Sequence, residues 1–453
     1  MTPDSFDMIY SVITTPTCIG LIGIAVMIMM FFTKMPIAYV MAITGFVGYG
    51  VMVSPHVALI LLSRSLFAVF ENDNLTTIPL FILMGQFAFN SGISSRLYDA
   101  GYKFLGNIRG GLAMATVSAC TAFGAVCGSS PATAATMATV GLPEMKKYGY
   151  NNELATGSVA SGGGIGMIMP PSVVLIIYGI LTEQSIGALF VAGIFPALLV
   201  TVLFIFSIYI ICTINPEQGP RGEKFSIKEK IKALFGLFET LIIFATVIGG
   251  IFMGWFTPTE AAAIGAFAVL FVAIVRQQIT WKGFIKSLYE TVRTSCMVMM
   301  LIAGAEIFGK FLAVTRIPFD IAGWVSSLHM APFLVMAVII VIYFIGGCFM
   351  DALAFVTLTV PIFFPVVSKL GYNPIWFGVI IVMVTEMGVI TPPVGINVYV
   401  VYGVAKNIIE DIRLEAIFKG IFPFLLAVIL GVIILMIFPE IILYLPGMMY
   451  KMP

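Results

Sequence analysis

The stretch GAVCGSSPATAATMATVGLPEMKKYGYNNELATGSVASGGGIGMIMPP (Gly124–Pro171) returns, without a gap, 222 residues later as GGCFMDALAFVTLTVPIFFPVVSKLGYNPIWFGVIIVMVTEMGVITPP (Gly346–Pro393). The identities fall on Gly124/Gly346, Pro143/Pro365, Lys147/Lys369, Gly149/Gly371, Tyr150/Tyr372, Asn151/Asn373, Gly166/Gly388, Pro170/Pro392 and Pro171/Pro393. Chance similarity between apolar segments shares Leu, Ile and Val, whereas these positions are Gly, Pro, Lys, Tyr and Asn. The chain therefore carries an internal duplication, a common way to build a membrane carrier.

Each copy has two interruptions. The first is GAVCGSSP (Gly124–Pro131) or GGCFMD (Gly346–Asp351), followed after about fifteen residues by a return loop, LPEMKKYGYN or FPVVSKLGYN. That spacing predicts a re-entrant helical hairpin turning at its tip. The second is GGGIGMIMPPS (Gly162–Ser172) or GVITPPVG (Gly388–Gly395), in mid-run. Proline removes an N–H and glycine lets the backbone leave the helix, so carbonyls lose their partners. In hydrocarbon an unpaired peptide group costs several kcal/mol, so such backbone persists only inside protein or along a polar cavity. Freed carbonyls suit cations and half-helix N-termini suit anions. One Pro-Pro alone reads as a kink; two at matched positions, each with a Gly-rich tip, predict a binding site.

Around this core the composition allows one class of protein. Of 453 residues, 60% are hydrophobic and 10% charged, and the mean hydropathy is +1.08. Soluble domains carry roughly 25% charged residues, so this chain cannot cover a water-facing surface of its size. Runs such as Cys18–Phe32, Ile37–Val53, Phe190–Cys212, Phe235–Met253, Ala261–Val275, Phe333–Phe344 and Ile421–Phe438 lack a period of two and predict helical spans. At about 20 residues per span the length allows on the order of ten to fourteen crossings. A net charge of +1 gives no reason to expect nucleic acid. The six cysteines have no CxxC spacing and read as small hydrophobes. Two histidines, His56 and His329, support neither a transition-metal site nor histidine catalysis. Ser129 and Ser158 have no base nearby in sequence, so no intramembrane enzyme is expected. A channel would need a repeated filter string.

The polar stretch Asn215–Gly236, with Arg221, Lys224, Lys228, Lys230 and Lys232, predicts a cytoplasmic linker of amphipathic character. It divides the chain into a first half, 1–214, with its hairpin and broken helix in 111–185, and a second half, 237–453, with the equivalent core in 333–405. The acidic start MTPDSFDM, with no basic residue before Lys34, is no signal peptide and predicts a periplasmic N-terminus. The first return loop carries Glu144, Lys146 and Lys147 and the second only Lys369, which predicts repeats of inverted topology. Charges within spans are costly, so Asp351, Glu386 and Glu306 stand out as either site residues or members of structural pairs.

The strings GSSPATAATMATVGLPEMKKYGY, IMPPSVVLIIYGILTEQSIGALFVAGIFP, GWFTPTEAAAIGA and FMDALAFVTLTVPIFFPVV followed by GVITPPVGINVYVV resemble, in order and over nearly the whole chain, the large membrane subunit of tripartite ATP-independent periplasmic (TRAP) transporters. The resemblance implies an all-α polytopic protein of the bacterial inner membrane with elevator-type architecture. It implies sodium-coupled import of a small organic anion, a carboxylate or sulfonate such as a C4-dicarboxylate, sialic acid, keto acid or isethionate-like compound. The implied partners are a small four-helix membrane subunit and a periplasmic binding protein, and no cofactor is expected beyond Na+ as coupling ion. It places one sodium site among Ser129, Ser130, Gly162, Gly166 and Met169, and a second among Gly346, Gly347, Gly388, Thr391 and Val394. Substrate contacts are expected from Ser129, Thr133, Pro170, Asp351, Pro392 and Asn397. Helix capping is the competing role for Ser129, Ser130 and Thr133. No arginine lies near these motifs, so an anion would rest on helix N-termini, amides, hydroxyls and bound sodium. The nearest rival is a stand-alone sodium/dicarboxylate elevator carrier that needs no partner subunits.

Overall fold

The computed structural model describes residues 15–33, 35–327 and 331–449. The N-terminal orientation signal in residues 1–14 with Lys34, and His329, lie outside the described residues. Every regular element among those described is helical. The first half comprises α1 (Pro16–Phe31), α2 (Ile37–Met52), α3 (Pro55–Glu71), α4 (Thr77–Asn90) and α5 (Ile93–Leu105). A hairpin follows, α6 (Gly111–Cys127) and α7 (Ser130–Lys147), then a broken helix, α8 (Asn152–Ile168) and α9 (Val173–Leu181), and α10 (Ile186–Ile214). The second half repeats this order. It runs α11 (Ile227–Phe252), α12 (Pro258–Val275), α13 (Trp281–Thr315), α14 (Ile317–Ser327), hairpin α15 (Pro332–Phe349) and α16 (Ala352–Lys369). Broken helix α17 (Pro374–Ile390) and α18 (Ile396–Ala405), then α19 (Leu414–Ile437) and α20 (Glu440–Met449), complete it.

The offset found in sequence holds for the elements: α7 begins at Ser130 and α16 at Ala352, and they end at Lys147 and Lys369. One pair differs in form. Where α13 is a single helix, its counterpart is bent by 55° between Pro55–Glu71 and Asp73–Asn90. Packing is reciprocal, as a two-fold relation between the halves requires. Helix α7 packs on α18 and α16 on α9; α8 packs on α19 and α17 on α10; α2 packs on α13 and α12 on α4.

Eight helices among the described residues are long and apolar enough to cross a membrane, and nine if the bent pair is one span. That is below the range expected from length, because several elements are hairpin arms or short apolar helices such as Gly111–Cys127 and Pro374–Ile390. The most apolar window of Asn152–Leu181 is 89% buried, against 33% for Ile227–Phe252, Pro258–Val275 and Pro332–Phe349. The first broken helix is therefore central, and the others present apolar faces outward, with Phe238, Phe267, Phe271 and Val338 exposed. The protein is an integral membrane protein.

The polar stretch 215–236 holds an irregular part and the start of a helix. Helix α11 begins at Ile227, inside 215–236, because Ser226 and Glu229 form a capping box: Glu229 N donates to Ser226 Oγ (3.3 Å) and Ser226 N to Glu229 Oε2 (2.8 Å). The remaining segment is stitched to the base of the first hairpin. Gly110 N donates to Gly219 O (2.8 Å), Asn151 N to Gln218 O (3.0 Å) and Gly222 N to Gly106 O (2.8 Å). Tyr102 Oη donates to Tyr148 Oη (2.7 Å), which donates to Glu223 Oε1 (2.9 Å). The six cysteines are all free; Cys120, Cys127, Cys212 and Cys348 are buried, as small hydrophobes should be.

Candidate functional site

Both tips form where the sequence placed them. Helix α6 ends at Cys127, Gly128 turns in the left-handed region (φ +65°), and α7 starts at Ser130 with Pro131 in its first turn. A Cβ at Gly128 would come 2.3 Å from Pro171 O, so only glycine lets this tip touch the broken helix. The second tip is Met350–Asp351. Asp351 caps α16 by accepting from Leu353 N (3.0 Å).

The breaks are narrower than the glycine-rich strings predict. Helix α8 continues through Gly162, Gly163, Gly164 and Gly166 to Ile168, and only 169–172 leave the helix; in the second copy Gly388 is helical and 391–395 is the break. These glycines serve close approach rather than unwinding. A Cβ at Gly166 would lie 2.5 Å from Thr133 Oγ1, and one at Gly163 2.6 Å from Ala134 Cβ. Gly124 and Gly347 meet Gly166 and Gly388 in the same manner: a Cβ on Gly124 would be 2.6 Å from Gly166 Cα, and one on Gly388 2.3 Å from the Gly347 carbonyl carbon. Each hairpin tip is thus in backbone contact with its own broken helix. In the second copy Val394 N also donates to Cys348 O (3.2 Å).

The double prolines strip carbonyls of their donors. The helical partners of the Gly166 and Met167 carbonyls would be N–H groups at 170 and 171, and of Gly388 and Val389 those at 392 and 393. All four positions are proline and have none. Gly388 O is recovered by Thr391 N (2.9 Å), while Thr391 Oγ1 turns back to Met387 O (2.5 Å). Ser172 caps the resumed helix α9, accepting from Leu175 N (3.4 Å). The two breaks differ in setting: Pro170 and Pro171 are buried, Pro392 and Pro393 exposed.

A cavity of about 140 Å³ lies against the first tip. Its polar lining comes from Ser129 and Ser130 of that tip, Asp351 of the other, Gln86 of α4 and Thr294 of α13. No Lys, Arg or His lines it. It thus joins both tips to two helices outside the hairpins. Met167 and Val173, which flank the first break, border it as well. Of the expected substrate contacts, Ser129 and Asp351 line this space. Thr133, Pro170, Pro392 and Asn397 do not; Thr133 is fully buried with its hydroxyl unpartnered against Gly166. Gln86 and Thr294 were not anticipated. A single glutamine within the apolar run TIPLFILMGQFAFN is the signal that marks Gln86.

Ser130 joins the two copies. Its Oγ donates to Glu386 Oε1 (2.9 Å) and lies 3.0 Å from Asn397 Oδ1. Asn397 Nδ2 reaches Ser130 Oγ (2.7 Å), Ala160 O (3.1 Å) and Glu386 Oε1 (3.4 Å). All three side chains are buried. Glu306 is elsewhere: it pairs with Lys310 (2.7 Å), which also donates to Ser65 (3.1 Å).

Comparison with known proteins agrees with this architecture. The A. borkumensis YdaH transporter superposes with a TM-score of 0.61 at 13% identity, covering 84% of this chain and 87% of that one, a likeness of fold alone. The C4-dicarboxylate TRAP transporter large permease protein DctM of Pseudomonas aeruginosa is 37% identical over 85% of this chain and 89% of its own length. The sialic acid TRAP transporter large permease protein SiaM of Vibrio cholerae is 33% identical over 83% of this chain and 87% of its own. The isethionate TRAP transporter permease protein DctMQ of Oleidesulfovibrio alaskensis is 34% identical over 82% of this chain but 57% of itself. The family model of the tripartite ATP-independent periplasmic transporter DctM component matches residues 24–441. A match of that extent, together with relatives of that identity, places the chain in the DctM family: it is a TRAP transporter large permease, a transport protein and not an enzyme.

Proposed function

We propose that this permease imports a small organic anion across the bacterial inner membrane, driven by sodium. A small membrane subunit completes it, and a periplasmic binding protein delivers the substrate. One observation supports this reading above the others. Twice, a hairpin tip touches a helix whose last-turn carbonyls have lost their N–H partners to a double proline. Sodium is a hard cation and takes oxygen ligands. The first ion would sit among Ser129, Ser130, Gly162, Gly166 and Met169. The second would sit among Gly346, Gly347, Gly388, Thr391 and Val394.

The substrate would occupy the cavity between the tips. With no basic side chain there, its negative charge would rest on the N-termini of α7 and α16, the Ser129 hydroxyl, the Gln86 amide and the neighbouring sodium ions. Relatives named for C4-dicarboxylate, sialic acid and isethionate support an anionic substrate. The cavity lies between the hairpins and α4 and α13, which suits an elevator in which the hairpins and broken helices move against the remaining helices.

Proteoliposomes containing this chain and its small subunit, supplied with the binding protein and radiolabelled succinate, sialic acid or isethionate, test the proposal. Uptake of one of these should require an inward sodium gradient and all three proteins. Uptake indifferent to sodium would overturn the coupling. Uptake of free substrate by this chain alone would establish the stand-alone carrier instead.

A further inference from the structure

Glu386 is a carboxylate near the C-terminal end of an apolar helix, buried, with no ion pair among the described residues. Its Oε1 has hydrogen-bond partners and its Oε2 has none. Burying an uncompensated charge is expensive in any protein and more so in a bilayer, so Glu386 must either hold a proton or find a counter-charge in its surroundings. They supply only oxygens and three hydrogens. The Ser130 hydroxyl and the Asn397 amide together have three protons, while Glu386 Oε1 and Oε2, Asn397 Oδ1, Ser130 Oγ and Ala160 O all stand to accept. Ser161 adds one more oxygen and one more proton. It lies three residues before Gly164, hence on the Gly164 side of α8, and its buried hydroxyl is unpartnered.

The duplication explains why there is a single carboxylate. The residue equivalent to Glu386 in the first copy is Gly164, and a Cβ there would meet Glu386 Oε1 at 2.2 Å. Glu386 fills the space that its own counterpart leaves empty, where α8 and α17 pack across the two-fold relation. The site is therefore not repeated: one per molecule, built from both halves.

We propose that Glu386, Ser130, Asn397 and Ser161 bind one further sodium ion at this junction, in addition to the two at the breaks. This rests on the sodium coupling proposed above. The ion supplies the missing positive charge, takes Glu386 Oε2 as its ligand, and ties the first hairpin to the second broken helix.

Sodium itself is the probe. Equilibrium binding of 22Na+ to the purified complex of this chain with its small subunit should give three ions per complex. Glu386→Gln, which keeps the shape and loses the charge, should bind two. Ser161→Ala, a smaller change, should keep three ions and lower the affinity for one of them by about tenfold. Two ions in the unaltered protein, or three in Glu386→Gln, would overturn the third site and leave the coupling standing. No sodium bound at all would sink both. If Glu386→Gln does not fold, Ser161→Ala decides: an unchanged binding curve overturns the proposal.

Discussion

At the scale of single residues, the glycines of the core act by what they lack. Gly388 has no room for a methyl group, since its Cβ would lie 2.3 Å from the Gly347 carbonyl carbon and 2.6 Å from Cys348 N. Gly388→Ala should destabilise the protein by about 1–3 kcal/mol, the usual cost of overpacking, and abolish transport by prising the tip from the broken helix. Gly249, in α11, has nothing within 4 Å of its Cβ position. Gly249→Ala should be neutral or stabilising by about 0.5–1 kcal/mol. Thermal unfolding of the two variants in detergent checks both, and equal effects would show that crowding is not what selects glycine at 388. For Glu306 the expectation is the opposite of that for Glu386. Its partner Lys310 is on the adjacent turn and both are partly exposed, so Glu306→Gln should cost at most about 1 kcal/mol and leave transport intact. Loss of transport with a stable fold would mean that the pair is functional.

At the scale of elements, the double prolines set the chemistry. Pro393→Ala would return an N–H to the Val389 carbonyl, which should raise the sodium concentration for half-maximal transport several-fold with little effect on expression. Unchanged sodium dependence would show that the carbonyl freed by Pro393 takes no part in holding the second ion. The sequence located both breaks but overstated their length, because a run of glycines looks like an unwinding signal. Here α8 and the tip pack so closely that glycine is the residue that fits a regular helix at that separation. A second element-scale device is the linker, held over the base of the first hairpin by Tyr148, Tyr102 and Glu223. Tyr148→Phe should speed amide hydrogen exchange in 215–226 while leaving α6 and α7 protected.

At the scale of the molecule, the question is how the halves are related. The main contacts between hairpins, broken helices and long spans of the two halves come in mirrored pairs: α7 on α18 with α16 on α9, α2 on α13 with α12 on α4. An axis in the membrane plane would put the two return loops on opposite sides. Lys147 and Lys369 both end hairpins and are exposed, so each tolerates a labelled cysteine in a background lacking the exposed Cys296. An impermeant maleimide should modify Lys147→Cys and Lys369→Cys from opposite faces in oriented vesicles. Labelling of both from one face would refute the inverted arrangement.

Composition settled that this chain belongs in a membrane, because ten charged residues in a hundred cannot cover a soluble surface, and long apolar runs without a period of two made its spans helices. Duplicated Gly, Pro and Asn then located the hairpins and breaks, since those residue types constrain the backbone locally wherever they occur. The tertiary structure decided what local constraint cannot express. Ser130 and Glu386 are 256 positions apart and in different copies, and Gln86 and Thr294 come from helices with no motif of their own. A pairing of that range is fixed by the packing of whole helices against one another, and no short pattern in the chain encodes it.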